Sequence, residues 1–460
     1  MSEFDVIVLG GGPGGYIAAE RLGHAGKNVL LVEADALGGT CLNVGCIPTK
    51  TLLNAAKTYH HAQYGAAFGI DAGTISFDWD RMQAWKSEVV TKLVAGVGAT
   101  QKRAGVTVAN GHGTFQGAGK VSVNGETHTA HHVILATGSE PVMPPIPGVV
   151  DASGRRNPAV VDSTGLLALE QLPERLTVIG GGVIGVEFAS LFAMLGVHVT
   201  ILEMLPEIVP FMDAEMAPML RGALEGVDIR LGCRVTGVND GTVAFTTDDG
   251  AEESIEADVI LMAVGRRPVV EGWGAENTGL EYSARGIVVD DRMRTNLPNV
   301  WAIGDVTGRS LLAHTAYRMG EVAAANILDP HAHRRGETVR WNTVPWAVYS
   351  NPEAAGVGLT ETAARAAGHE VLTATVPGYM SGRFAAENGF RAAGGAKVIV
   401  DASTLQVLGL HVVGSYAAEM IWGACAVLET ELNLHDLRQV VVPHPTVSEL
   451  IREAAWAVKA

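Results

Sequence analysis

The chain has 460 residues, with 33 Lys and Arg against 49 Asp and Glu, and its formal charge of −16 repels phosphate backbones and excludes nucleic acid as an expected partner. Hydrophobic residues make up 47% and charged residues 18%, which excludes a largely disordered chain. At roughly 100 to 200 residues per domain, the length corresponds to about two to four domains. Glycine is over-represented at 56 residues without a collagen or linker pattern, so these glycines belong to specific turns. No window approaches the roughly 18 uninterrupted apolar residues of a membrane span. The start Met1-Ser2-Glu3-Phe4-Asp5 lacks the basic region of a signal peptide. A cytoplasmic protein without membrane contact is expected.

In chain order, Asp5 to Gly10 reads as a buried strand, Gly10 to Gly15 as a glycine turn, Tyr16 to His24 as a helix and Asn28 to Glu33 as a second strand. The pattern returns at Thr177 to Glu203, where Gly10, Gly12, Gly15 and Glu33 reappear as Gly180, Gly182, Gly185 and Glu203, every one offset by 170. One such glycine motif is weak; two that share strand, helix and acidic residue define two dinucleotide-binding units in tandem. The first glycine permits the turn, the second lets backbone approach a pyrophosphate, and the third lets helix and strand pack. The helix N-terminus adds amide donors. Glu33 and Glu203 are placed to accept hydrogen bonds from ribose hydroxyls. No Lys or Arg between Val197 and Pro206 would attract a 2′-phosphate, so the second site is expected to prefer NAD.

Asp78 to Ala104 is an amphipathic helix candidate, and Asn124-Gly125 within Lys120 to Thr127 is a hairpin turn. His132 to Ala136, Asp258 to Val264 and Val300 to Asp305 read as strands. Pro141 to Pro147 reads as an extended link. After His331-Ala332-His333-Arg334-Arg335 the chain changes to mixed strands and helices ending in His444-Pro445-Thr446-Val447-Ser448-Glu449. The expected fold class is α/β, with two tandem Rossmann-like dinucleotide-binding domains followed by a C-terminal α+β domain.

Four cysteines occur, and two of them stand in Gly38-Gly39-Thr40-Cys41-Leu42-Asn43-Val44-Gly45-Cys46-Ile47-Pro48-Thr49-Lys50. Bridging Cys41 and Cys46 requires the intervening residues to coil. Pro48 suits the first turn of a helix continuing through Leu53, whose N-terminus would favour a thiolate at Cys46. Two thiols without a four-ligand set suit reversible exchange better than zinc; the spacing is also compatible with two buried, inert cysteines. Cys233 and Cys425 read as core thiols. The histidines His60, His61, His131, His132, His331 and His333 lack ligand spacing with a carboxylate and read as surface or loop residues, so no metal is expected.

Together, these motifs resemble the pyridine nucleotide-disulfide oxidoreductase family from Asp5 to about Arg452. Cys41 to Lys50 is nearer the branch that oxidises dihydrolipoyl groups than the glutathione-reducing branch, whose motif ends in two lysines. The resemblance implies FAD on the first glycine motif, with Gly39 and Thr40 beside it, and NAD on the second. It implies Cys41 as the thiol that exchanges with substrate and Cys46 as the thiolate facing the flavin. Lys50 and Glu187 would form an ion pair near the flavin. His444 would be the base, with Glu449 holding its imidazole, and the pair would serve the cysteines of the other subunit of a homodimer. His is the side chain best suited to take a thiol proton near neutral pH.

Thr295 to Asp305 resembles the family's second flavin motif, which implies that Asp305 binds the ribityl chain and that the Ala313 backbone contacts the cofactor. Gly113, Thr137 and Gly138 would lie near FAD, and Val235 and Gly265 near NAD. The implied organisation is an FAD domain over 1–145, an NAD domain over 146–270, a central domain completing the FAD site over 271–337 and an interface domain over 338–460. Lipoyl domains and the acyltransferase core of a 2-oxo acid dehydrogenase complex, or the glycine cleavage lipoyl protein, are the implied partners. Two rivals are an NADH-dependent flavoprotein acting on another disulfide or a quinone, and a flavin-containing docking subunit without turnover.

Overall fold

The structure is a computed structural model that describes residues 3–459 except 118, 152, 240, 330 and 332–336. The chain divides into two compact units: Met1–Thr51, Asp80–Val142 and Gly265–Val339 form one, and Leu52–Trp79, Met143–Val264 and Arg340–Ala460 form the other.

The first unit is built on a seven-stranded sheet whose parallel part runs Thr107–Asn110, Val29–Glu33, Glu3–Leu9, Glu126–Leu135. Parallel strands covered on both faces are apolar almost throughout, as Val6 to Leu9 and Val29 to Val32 are. The start of Glu126–Leu135 pairs antiparallel with Lys120–Val123 through a turn in which Asn124 and Gly125 have φ of 53° and 81°, the two positive values a tight hairpin needs. Its end pairs in parallel with Val300–Ala302. Ile7, Leu9, Leu30, Val32, Val133, Leu135, Val300 and Ala302 share one core. Helices Pro13–His24 and Ala313–Leu328 pack against each other. Ser139–Pro141 pairs antiparallel with Arg266–Pro268, so the segment beginning in the expected link is partly a strand.

The second unit holds a five-stranded parallel sheet in the order Val227–Arg230, His198–Leu202, Arg175–Ile179, Val259–Met262, Val160–Val161, the arrangement the repeated motif predicts. Three antiparallel strands, Arg234–Asn239, Thr242–Thr246 and Glu252–Glu256, complete its core with Val243 and Phe245. Residues 340–460 form a five-stranded antiparallel sheet with helices Ala417–Glu429 and Glu449–Ala457 packed on it, the α+β character expected of the tail. Among the described residues, no helix is long and apolar enough to cross a membrane.

Candidate functional site

The cysteine segment is helical on both sides of one break: Gly39–Val44, then Gly45, then Cys46–Gln63, which outruns the expected end at Leu53. Gly39 lies against the first glycine loop, where an added Cβ would sit 2.6 Å from the Gly12 Cα, so the dithiol begins directly beside that loop. The Asn43 side chain donates to the carbonyls of Leu37 and Gly39 at 3.1 and 3.0 Å and ties the cysteine helix to the preceding turn. Cys46 is the first residue of its helix, where backbone amides favour an anion. Cys41 and Cys46 are half-buried thiols in hydrogen-bond contact. The Cys46 sulfur, reinforced by burial, pushes the Cys41 thiol far up against the opposing charge of Lys50. Two adjacent sulfurs do not ionise together, so the pair shares its protons rather than losing both.

The two glycine loops match down to individual bonds. Gly10 and Gly180 both have φ of +108°, and a Cβ on either would meet a backbone carbonyl, Ala136 at 2.2 Å or Ala263 at 2.6 Å. A Cβ on Gly15 would lie 1.9 Å from the Gly10 oxygen, and one on Gly185 2.0 Å from the Gly180 oxygen. Glu33 accepts from the Gly11 and Asp35 amides at 2.6 and 2.8 Å, and Glu203 from the Gly181 and Leu205 amides at 2.5 and 2.7 Å.

Gly12 and Gly182 differ from these. Their φ values of −72° and −74° are open to any residue, yet a Cβ on Gly182 would meet nothing and one on Gly12 only the Gly39 Cα at 3.8 Å. Neither conformation nor protein packing calls for glycine there. The space left at a helix N-terminus is that of a cradle for a closely approaching anion, and it fits a dinucleotide pyrophosphate at both loops.

Asp305 lies in the short turn Gly304–Thr307 after its strand. Burial pushes its carboxyl up, opposed by the Ser139 hydroxyl, which donates to it at 2.6 Å, and by the Arg266 guanidinium. Arg266 donates to the Ser139 hydroxyl at 2.8 Å and its carbonyl at 2.6 Å, and reaches the Thr40 hydroxyl at 3.5 Å. Thr40, Ser139, Arg266 and Asp305 are thus one network. Sequence reasoning found Thr40 and Asp305 but passed over Ser139 and Arg266, whose one signal was their position after Thr137-Gly138 and Gly265 at strand ends.

His444 is exposed, and its Nδ1 meets the Glu449 carboxylate at 2.9 Å. That contact, together with the Thr446 amide at 2.9 Å, holds the Glu449 carboxyl below its ordinary value. Buried Glu187 accepts the Tyr349 amide at 3.0 Å. Lys50 stands one turn beyond Cys46 on the same helix. Gly113 packs tightly, a Cβ there lying 2.4 Å from Leu9, and Thr137 donates to the Val269 carbonyl at 2.9 Å. Gly138 has φ of +78°, the Gly265 carbonyl accepts from the Val142 amide at 3.0 Å, and Ala313 begins its helix. Val235 packs against the core of the second unit at a register shift.

Cys233 is buried, as expected of a core thiol, and burial pushes the half-buried Cys425 up to about 11. His132 and His60 depart from the expected surface position. His132 is half-buried in Glu126–Leu135 against Trp301, and His60 is half-buried in the helix Cys46–Gln63. His333 falls outside the described residues. Among the described residues, no group of three His, Cys, Asp or Glu side chains is arranged to hold a metal.

Residues 4–320 match the model of the pyridine nucleotide-disulphide oxidoreductase family, and residues 344–455 match that family's dimerisation domain. The chain belongs to the pyridine nucleotide-disulphide oxidoreductase family. It is 44% identical to a dihydrolipoyl dehydrogenase of Thermus scotoductus, covering 100% of this chain and 98% of that protein. It is 40% identical to dihydrolipoyl dehydrogenase 3 of Pseudomonas putida over the same shares. Among solved structures, the HOCl-induced flavoprotein disulfide reductase RclA from Escherichia coli is similar at a TM-score of 0.86 and 32% identity, covering 99% of this chain and 100% of that one.

Proposed function

We propose that the chain is a dihydrolipoyl dehydrogenase that uses FAD and NAD. The observation that carries this reading is the Cys41 and Cys46 pair in contact beside the first glycine loop. Gly10, Gly12, Gly15, Glu33, Gly39, Thr40 and Asp305 would hold FAD, with Ser139 and Arg266 fixing the Asp305 carboxylate. Gly113, Thr137, Gly138 and Ala313 would border it. Gly180, Gly182, Gly185 and Glu203, with Val235 and Gly265, would hold NAD. FAD, when bound, carries the electron pair from the dithiol to NAD⁺.

The residues divide the exchange as follows. His444, oriented by Glu449, takes the proton of a dihydrolipoyl thiol. In the oxidised form, with Cys41 and Cys46 joined as a disulfide, the resulting thiolate attacks Cys41, a substrate–Cys41 bond forms, the Cys41–Cys46 bond breaks, and Cys46 leaves as thiolate. The second substrate thiol then attacks the first sulfur, its proton passing to the departing Cys41 sulfur, which closes the lipoyl disulfide and releases Cys41 as a thiol. The substrate dithiol is oxidised and the protein disulfide is reduced. Lys50 and Glu187 are assigned as the charged pair that holds the reacting end of the flavin site.

A homodimer is the proposed assembly. The match to the dimerisation domain supports it, as do Phe390, Trp422 and Val441, which are 77, 78 and 93% exposed in this segment. Lipoyl domains of a 2-oxo acid dehydrogenase complex or of the glycine cleavage system are the proposed protein substrates, in the cytoplasm.

An anaerobic titration with dihydrolipoamide and then NAD⁺ tests the reading. A long-wavelength absorbance on reduction, discharged by NAD⁺ as NADH forms, is expected. A flavin that bleaches with NADH but ignores dihydrolipoamide would favour the second reading, reduction of another disulfide, to which the similarity with RclA lends weight. Cys46→Ser should abolish lipoamide turnover with flavin retained; normal turnover would refute the role of Cys46.

A further inference from the structure

In helix Val183–Met194 the two polar side chains are Glu187 and Ser190, and both are buried. The amides of the helix are engaged in its own ladder, so acceptors at these positions take their donors from elsewhere. Glu187 and Ser190 stand three residues apart and share one face of the helix. The Tyr349 amide donates to the Glu187 Oε1 at 3.0 Å, and the Asn351 amide donates to the Ser190 Oγ at 2.9 Å. Two polar atoms on one helix face are thus matched to two amides of one short segment.

That segment, residues 349–353, is the turn between the antiparallel strands Trp346–Val348 and Ala354–Gly358. Within it the buried Ser350 hydroxyl donates to the Pro352 carbonyl at 2.7 Å. Its far end is fastened as well. The Glu353 carboxylate accepts from the Lys57 Nζ and from the Ala418 amide, each at 3.2 Å, and the Glu353 carbonyl accepts from the Gly414 amide at 2.8 Å. A single hydrogen bond between a turn and a helix is a pivot; a second bond one helical turn away fixes position and direction together. Ser190 supplies that second bond, and removing its oxygen deprives the Asn351 amide of its acceptor.

We propose that Ser190 is a positioning residue for Glu187: by holding the Asn351 amide it keeps the Tyr349 amide, and through it the Glu187 carboxylate, in one place. The influence of a charge on hydride transfer depends on its distance and direction from the reacting atoms, so a displaced carboxylate slows that step and leaves nucleotide binding unchanged. Ser190 acts through the turn and exchanges no proton. The proposal rests on the reading that Glu187 belongs to the charged pair at the reacting end of the flavin site.

The test uses flavin-loaded protein carrying Ser190→Ala, the nearly isosteric Ser190→Cys, whose sulfur is a weaker acceptor, Glu187→Gln, or Ser190→Ala with Glu187→Gln. Hydrogen exchange followed by mass spectrometry reads the turn, and stopped flow reads flavin reduction by NADH per bound flavin. Both Ser190 variants are expected to speed exchange in peptides covering 349–353 and to slow flavin reduction, about tenfold for Ala, with the Kd for NADH unchanged. In the Glu187→Gln background, where no charge remains to be placed, Ser190→Ala is expected to slow reduction about twofold at most. Unchanged exchange in both Ser190 variants, faster exchange with an unchanged reduction rate, or the same loss of rate in both backgrounds would overturn the proposal while leaving Glu187 its role. Glu187→Gln with the parental rate of flavin reduction would instead remove that role, and the proposal with it.

Discussion

The Glu203 carboxylate accepts the Gly181 amide at 2.5 Å, and Glu33 accepts the Gly11 amide at 2.6 Å in the matching position of the first loop. Each carboxylate is therefore oriented by its own glycine loop before any nucleotide arrives, which lowers the cost of fixing it on binding. Glu203→Gln should raise KM for NAD⁺ by about tenfold and narrow the preference over NADP⁺, because a charged acceptor is lost and a 2′-phosphate is no longer repelled. Steady-state kinetics with both nucleotides checks this; an unchanged ratio of kcat/KM values counts against the assigned role.

Glycines of one motif should fail differently. Gly182→Ala adds a Cβ to open space at an ordinary backbone conformation, so thermal stability should stay within about 1 kcal/mol of the parent while NAD affinity falls. Gly185→Ala drives a methyl to 2.0 Å from the Gly180 oxygen and should lower stability as well as NAD affinity. Thermal melts paired with calorimetric NAD titrations separate the two; equal destabilisation would remove the ligand-based account of Gly182.

His444→Gln should lower dihydrolipoamide turnover by about 10² to 10⁴, the range of a positioned general base, with flavin content unchanged. The companion expectation concerns acid. The folded Glu449 carboxyl lies below its ordinary value, so the stability it contributes is present above the unfolded value and is lost as pH falls through the lowered folded one. Glu449→Gln should flatten that part of the acid melting profile, recorded by circular dichroism between pH 6 and 3; an unaltered profile would show that the contact carries no stability.

Lys397 is 1% exposed and donates to Asp213 at 2.9 Å and Glu361 at 2.8 Å. Burial pushes the Asp213 carboxyl up, but the Glu361 amide and the Lys397 ammonium outweigh it and leave it lowered. Lys397→Met strands a buried carboxylate and should cost about 3 to 5 kcal/mol, whereas Lys397→Met with Asp213→Asn should cost less than the sum of the single changes. Urea unfolding of the two single variants and the double variant gives the coupling; strict additivity would mean that the two charges do not depend on each other.

What the sequence disclosed follows from how local each signal is. The glycine loops and their strands were readable because turn, strand and acidic residue lie within about 25 residues, and a second copy at a fixed offset repeats them. The cysteine pair was readable for the same reason, although the length of the helix Cys46–Gln63 was not. Ser139, Arg266 and Asp305 form one network from three distant stretches, and nothing local marks Arg266 off from Arg267, which instead pairs with Glu140. His132 reads both as the start of a strand and as a surface or loop histidine; the strand begins earlier, at Glu126, and its alternate residues face opposite sides, which leaves His132 half-buried and His131 exposed.

The strand Val300–Ala302 completes the sheet that begins at Glu3, pairing in register with residues 133–135. Between them the chain departs after Val142 and returns at Gly265, where the Val142 amide meets the Gly265 carbonyl at 3.0 Å. On a ribosome, the strand that pairs with residues 133–135 is made only after residues 143–264, a stretch whose five parallel strands pair with one another. Closing so distant a pairing carries a loop entropy that is reduced once the intervening chain is compact and its ends are held together. The intervening parallel sheet thus shortens the reach of that closure, and a variant that unfolds it should delay the maturation of the first sheet.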